Sequence, residues 1–383
     1  MVQAVRAGCS VRAVASIYGV SAGTVAYWVE HARGKRLDRV CFDNQRSGRA
    51  WNRTSAATER RVLSVRSALR QCSALGEYGP DAIRSALSKD DALRQAPGRT
   101  TIYRILARHG VLDGVHRLRR PAPPKGWYLP QLVEDGAELD SFDFIEDLKI
   151  ANGPLISVLT GTSLHGALAD AWVMPQPRSR ATLDALLERW RRDGLPTYAQ
   201  FDNGTIFQGA HQYVDAVGRI SRVCLALGVV PVFAAPREHG FQNAIEGFNG
   251  LWQSKVWRRF HFPDIASVEA ASARYVTAYR AKTACRQDSI HRRDFPRRFK
   301  INLRTPLAGT MIYLRRSNDR GDVDLLGRRF CADKHWCHRL VRCEVDFTQQ
   351  CIRFYALRRR DPESQPLLCE LPYTRPNKSF QDA

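Results

Sequence analysis

The sequence is short of acid. Only 38 Asp and Glu stand against 59 Lys and Arg, a formal net charge of +21 over 383 residues. A chain this basic seeks a polyanion, either nucleic acid or an anionic membrane surface. It also has no long apolar run: the stretch from Val223 to Ala235 carries Gly228 and Pro231 and cannot span a bilayer. Nucleic acid is therefore the expected partner, and no membrane is. The N-terminus has no basic, apolar, small-residue leader pattern, and the 10 Cys are scattered instead of packed into a disulfide framework. Both point to a cytoplasmic protein with reduced thiols, nucleoid-associated when bound to DNA. Apolar residues are not lacking. A hydrophobic share of 44%, with 16 Phe, 12 Tyr and 8 Trp, excludes a disordered tail, and the length suggests two to three domains.

The chain reads as a multidomain protein. In residues 1–35, Val11, Val14, Ala15 and Tyr18 recur at helical spacing, Gly19 breaks the helix, and Ser21 caps a second helix carrying Val25, Trp28 and Val29. Two short helices around a tight turn are either a plain hairpin or a helix-turn-helix, and Arg6, Arg12, Arg33, Lys35 and Arg36 favour the DNA-binding form. Ser21, Thr24 and Tyr27 would then open the recognition helix and touch base edges. Residues 55–115 predict a second all-α unit of the same kind, with Pro80 in a helix first turn and a last helix carrying Arg104 and Arg108; a helical spacer is the competing reading. Residues 116–134 form a basic, proline-rich linker, where Arg119 and Arg120 are expected to lie along phosphates.

From 135 to 285 the pattern changes. Three strand-like runs (Ala137–Ile145, Leu155–Gly161, Gly166–Val173) are followed by helix, strand, helix, strand and two long helices. This order predicts an α/β core with a mixed five-stranded sheet. Residues 286–304 are a second basic connector, in which Arg292, Arg293, Arg297 and Arg298 are candidate phosphate contacts. Residues 305–383 break into short strands punctuated by Gly, Asn and Asp, the pattern of a small β-barrel.

Carboxylates in a basic, DNA-seeking chain call for a reason, and hard divalent cations supply one, since Asp and Glu oxygens bind Mg²⁺ or Mn²⁺ and the ion bridges to phosphate. Asp140 lies in the first strand of the mixed region, Asp202 ends the strand "TYAQFD" before an Asn-Gly turn, and Glu246 opens the long helix. Singly, Asp202 could be turn chemistry and Glu246 a first-turn acid on the helix dipole. Together, "ELDSFDF", "AQFDNGTIF" and "PREHGFQNAIEGFNG" resemble the three blocks of retroviral-type integrases and the DDE transposases of bacterial insertion sequences. The resemblance implies a ribonuclease-H-like core and metal-dependent DNA cleavage and strand transfer by Asp140, Asp202 and Glu246 holding two Mg²⁺ (or Mn²⁺) ions. It further implies element-end and target double-stranded DNA as partners, a homo-multimer, and no small-molecule substrate. Asp143 competes with Asp140: a strand alternates its faces, so only one can serve, and the block aligns better on Asp140.

Gln242, Asn243, Asn249, Gln253 and Lys255 are the DNA contacts this resemblance implies along the third block. There are departures. The gap from Asp202 to Glu246 is longer than the family's commonest one, which implies an extended helix or loop between Gln208 and Arg222. Gly250 and Gln253 stand where retroviral members often place lysines, so Lys255, Arg258 or Arg259 would take over. The integrases' N-terminal His/Cys zinc module is absent. Cys331, His335, Cys337, His338 and Cys343 lack paired Cys-x-x-Cys knuckles, and buried thiols with surface histidines are the preferred reading. A DNA-binding regulator that has lost catalysis is the alternative function.

Overall fold

The computed structural model describes residues 1–40, 54–90, 95–112, 126–129, 137–164, 167–210, 213–238, 240–286 and 292–376. Of the basic linker, Arg119 and Arg120 lie outside the described residues, which include only its residues 126–129. The chain divides into two compact units, Met1–Leu63 and Ser64–Ala383.

In the first unit, helices α1 (Val2–Arg6), α2 (Val11–Tyr18) and α3 (Ala22–His31) follow from local chemistry. The Ser10 hydroxyl caps α2 by accepting from the Ala13 N–H, and Ser21 caps α3 by accepting from Thr24. Gly19 ends α2 in the left-handed region at φ 63°, where a side chain would be strained. Val14, Ala15 and Val25 bury their side chains between α2 and α3. Helix α4 (Ala56–Cys72) crosses the division between the units.

The second unit carries α5 (Pro80–Leu87) and α6 (Arg99–Arg108), followed by the sheet. Its first strands are β1 (Leu139–Lys149), β2 (Leu155–Ser163) and β3 (Ala169–Met174), then α7 (Ser179–Asp193), β4 (Tyr198–Phe201), the single turn α8 (Thr205–Gln208), α9 (Arg219–Ala226) and β5 (Val230–Phe233). Helices α10 (Asn243–Lys255) and α11 (Ile265–Thr283) follow, and then β6 (Thr310–Arg316), β7 (Asp322–Leu325), β8 (Arg328–Cys331), β9 (Leu340–Asp346), β10 (Cys351–Leu357) and β11 (Leu367–Pro372). The expected mixed α/β architecture is present. β1 and β2 are antiparallel, as are β2 and β3, while β1, β4 and β5 run parallel.

The C-terminal strands differ from the expected separate barrel. Strand β6 pairs in parallel with the open edge of β5 through Val232–Ile312 and Phe233–Tyr313, and β9, β10 and β11 extend from it. The result is one nine-stranded sheet in the order β11-β10-β9-β6-β5-β4-β1-β2-β3, with β7 and β8 a separate hairpin. An unpaired β5 edge would leave backbone groups unsatisfied. One apolar cluster runs from Phe142 and Trp190 through Phe201, Phe233 and Tyr313 to Phe354, so the late strands share the core of the early ones.

In the region from Gln208 to Arg222 the helix starts at Arg219, after Gly218, and Asp215 takes a left-handed φ of 59°. Buried Asp215 anchors this insertion: Arg328 grips its carboxylate with two hydrogen bonds of 2.8 and 2.7 Å, and the Tyr373 hydroxyl donates at 2.9 Å. Among the described residues no helix is long and apolar enough to cross a membrane.

Strand β1 decides the site. Phe142 packs against Trp190 of α7 on one face, while Ile145 joins Ile245, Phe248 and Trp252 of α10 on the other. Alternation then assigns Asp140 to the α7 side and Asp143 to the α10 side.

Candidate active site

Asp143 on β1, Asp202 at the end of β4 and Glu246 in the first turn of α10 lie close enough for the last two charges to act on the first. The Asp143 carboxyl is pushed up to about 7, first by burial and then by the negative charges of Asp202 and Glu246. The Phe144 N–H and the Asn249 amide, which donates to Asp143 Oδ2 at 2.8 Å, pull the other way. Asn249 is itself fixed, with its Oδ1 2.6 Å from the Thr160 hydroxyl. Asp202 accepts from the Gly204 N–H at 2.9 Å, and the Asn203 side chain donates to the Ala234 carbonyl at 2.7 Å, tying β4 to the end of β5. A Cβ at Gly204 would stand 2.9 Å from Asp202 Oδ1, so any side chain there would press on the Asp202 carboxylate.

Asp140 lies elsewhere, on the α7 side of β1. Its fully buried carboxylate accepts from Arg189 at 2.8 and 3.0 Å, from the Trp190 indole at 3.1 Å and from Arg292 at 2.7 and 3.1 Å. Burial alone would raise its pKa, but the two guanidiniums hold it well below the usual carboxylate range. Arg189 reaches on to Asp170, which also pairs with Arg192 and Arg280. A carboxylate enclosed by two guanidiniums is charge-compensated and shut off from DNA. Alternation of faces is visible in "ELDSFDF"; that Arg189 and Trp190 await one of its acids is not.

The other candidate contacts separate in the same manner. Arg292 is held in the Asp140 pair and on the Gly194 carbonyl, inside the core, while the exposed Arg293 donates to the Gly228 carbonyl at 2.7 Å. Asn249 is buried against Asp143. Lys255 donates to the Gly76 carbonyl, binding α10 to the turn that follows α4. Gln253 accepts from Arg258, and Gln242 is half-buried. Asn243, Arg104, Arg108, Arg297 and Arg298 are exposed. In the first unit Tyr27 is 55% exposed, while the Ser21 hydroxyl is committed to its cap and to Thr24.

This division is testable. Replacing Arg297 and Arg298 by Gln should weaken binding to all DNA sequences alike and reduce the salt slope by about 0.9 for each phosphate no longer neutralised. Arg292→Gln should instead lower the melting temperature. Salt-dependent affinity and thermal melts on the same preparations separate the two effects, and an unchanged slope for the double variant would show that these arginines do not touch phosphate.

Asp143, Asp202 and Glu246 offer only carboxylate oxygen, the donor type that Mg²⁺ and Mn²⁺ prefer, and their mutual repulsion is what a cation would relieve. The fit is one of donor chemistry and charge, because among the described residues no three Asp, Glu, His or Cys side chains are grouped closely enough to hold a metal. The same holds for Cys331, His335 and Cys337; no cysteine among the described residues forms a disulfide.

No family model matches the chain, and no curated protein does. Among solved structures, it is similar to a chain of the simian T-cell lymphotropic virus intasome in complex with the PP2A regulatory subunit B56 gamma. The TM-score is 0.32 at 15% identity, covering 70% of this chain and 87% of that one. It is also similar to the catalytic core domain of BIV integrase (TM-score 0.26, 19% identity, 37% and 81% covered). A third is the HTLV-2 integrase catalytic core domain in complex with magnesium (TM-score 0.28, 14% identity, 36% and 82% covered). Similarity this low carries no argument about this chain, and the functional reading rests on its carboxylates.

Proposed function

We propose that this protein is a DNA strand-transfer enzyme of the integrase and DDE transposase kind, with Asp143, Asp202 and Glu246 as its catalytic carboxylates. The supporting observation is that the charges of Asp202 and Glu246, from the end of β4 and from α10, act on the buried Asp143 of β1, on a chain of net charge +21. Like charges crowded where phosphate must come are costly unless a cation and a phosphodiester are to share the place. Asp143, Asp202 and Glu246 would hold Mg²⁺ or Mn²⁺, which when bound neutralises phosphate charge and makes water or a 3′-hydroxyl a better nucleophile. Asn249 orients Asp143, and the Asp202–Gly204 hydrogen bond fixes the second carboxylate. The exposed arginines attract the DNA backbone, and α3, led by Thr24 and Tyr27, reads the element ends in the manner of a helix-turn-helix. Two element ends must be cut and joined in one place, so the working form is a homo-multimer on DNA.

The test is a nicking and strand-transfer assay on duplexes ending in the inverted repeats that flank the gene. Metal-dependent release of a 3′-hydroxyl end and its joining to target DNA, with tighter binding to repeats than to scrambled duplex, is the expected result. Tight binding without nicking would make the protein a regulator.

The raised Asp143 carboxyl gives a pH prediction. Below about 7 it holds a proton that a cation must displace. Mn²⁺ affinity should therefore fall as pH drops below that value, approaching about tenfold per pH unit, and level off above it. Mn²⁺ titrations followed by electron paramagnetic resonance from about pH 5.5 to 8.5 check this. A flat profile would remove Asp143 from the ligand set.

A further inference from the structure

One buried hydroxyl bridges the acid-bearing strand β4 and the entry of α10, and β1 joins it through Gln200. Tyr128 is buried, and its oxygen lies 3.0 Å from Gln200 Oε1 and 2.9 Å from the Phe241 carbonyl. Gln200 stands in β4 two residues before Asp202, and its Oε1 also accepts from the Ser141 hydroxyl at 3.1 Å. Ser141 is the register partner of Gln200 and precedes Asp143 by two residues on the same face of β1. Phe241 lies just before α10, whose first turn carries Glu246. The buried Gln200 Nε2 has no hydrogen-bond partner among the described residues, so Tyr128 and Ser141 are what hold this amide.

The surroundings fix the tyrosine. Phe241 is stacked by Trp127, with ring centroids 5.5 Å apart, and met edge-on by Tyr128 at 5.1 Å. Arg359 places its guanidinium 5.6 Å from the Phe241 ring. Burial pushes the Tyr128 hydroxyl upward, so it stays a neutral donor at any working pH. In sequence, Tyr128 lies between the helix bearing Arg104 and Arg108 and the strand bearing Asp143.

We propose that Tyr128 is a positioning residue for the carboxylate site: its hydroxyl ties β4 to the entry of α10 and, through Gln200, to β1, which sets the spacing of Asp143, Asp202 and Glu246. This rests on the strand-transfer reading. Nothing in it requires Tyr128 to touch DNA or metal. A relaxed junction would let the acids drift, and displacements near 1 Å at a reacting centre cost up to about a hundredfold in rate.

The test uses Tyr128→Phe, which keeps the ring against Trp127 and Phe241 and removes only the hydroxyl, and Gln200→Leu, which removes the acceptor. In the full-length protein both should lower kcat for strand transfer by about tenfold to a hundredfold. KM for DNA and DNA affinity should stay within about twofold, and Mn²⁺ affinity should fall by about tenfold. The double variant should be no worse than the worse single one, since the two changes break one junction. Parental kcat and Mn²⁺ affinity in Tyr128→Phe, or a lowered melting temperature as its only change, would overturn the proposal. Mn²⁺ binding needs no turnover. A parent protein that binds Mn²⁺ but never nicks DNA overturns the strand-transfer reading alone, and one that does neither overturns both.

Discussion

Asp143→Asn should abolish strand transfer. The substitution keeps the shape of the side chain and its contact with Asn249 but removes a ligand charge from a site built of carboxylates. Hard-cation sites depend on that charge for both metal occupancy and stabilisation of the reacting phosphate, so the two should be lost together. The expected loss is several orders of magnitude in nicking and joining, of the kind seen when one member of an interdependent catalytic group is removed. Asp202→Asn and Glu246→Gln should match it. DNA affinity should stay near the parental value, because the exposed arginines that meet the backbone are untouched and the site loses negative charge. Metal-dependent strand transfer by each purified variant, beside its DNA affinity, is the measurement. Parental activity in Asp143→Asn would return the first carboxylate to another residue, and parental activity in Glu246→Gln would take the third ligand off α10.

Much of this arrangement is legible in the sequence. The strand–helix order predicts the mixed sheet, and Asp202 and Glu246 follow from a strand end and a helix start. The alternation in β1 also shows that Asp140 and Asp143 face opposite ways. What sets their surroundings apart is a partner far along the chain. Arg189 sits in "LERWRRD", which looks like an ordinary solvated helix, yet it is fully buried and turned onto Asp140. Arg292 is similar: in a basic connector it looks like a phosphate contact, and its 8% exposed side chain closes the same pair. Local charge density marks where cations are, but only long-range packing says which of them are already engaged. The C-terminal strands show the same limit. Their short, turn-punctuated pattern identifies strands, while the β5–β6 pairing that joins them to the core leaves no local signal. Tyr128 and Gln200 escape notice for a related reason, since one sits within the proline-rich linker and the other inside a short apolar strand.

Asp140→Asn should damage stability and leave the chemistry alone. Removing one charge of a buried, hydrogen-bonded pair costs about 3–5 kcal/mol, because the partner stays behind uncompensated. Here the partners are two: Arg189, with no exposed side-chain surface, and Arg292. Against a typical net stability of about 5–15 kcal/mol, that loss should lower the melting temperature by roughly 10 °C. The pH dependence has a definite sign. Asp140 is held below the usual carboxylate range, so its contribution is fully present at neutral pH and is lost only as the medium becomes strongly acidic. The parent should therefore keep this increment across the neutral range, and Asp140→Asn should lack it throughout. Arg189→Met should also destabilise, through Asp140 and Asp170 together. The double variant should lose less than the two single losses added, by about 0.5–3 kcal/mol, because the interaction is already gone after the first change. Well below its own melting point, folded Asp140→Asn should transfer strands at close to the parental rate. Urea unfolding and strand transfer on one preparation decide the matter: a variant that unfolds like the parent but has lost catalysis would place Asp140 among the metal ligands after all, and would move Asp143 out.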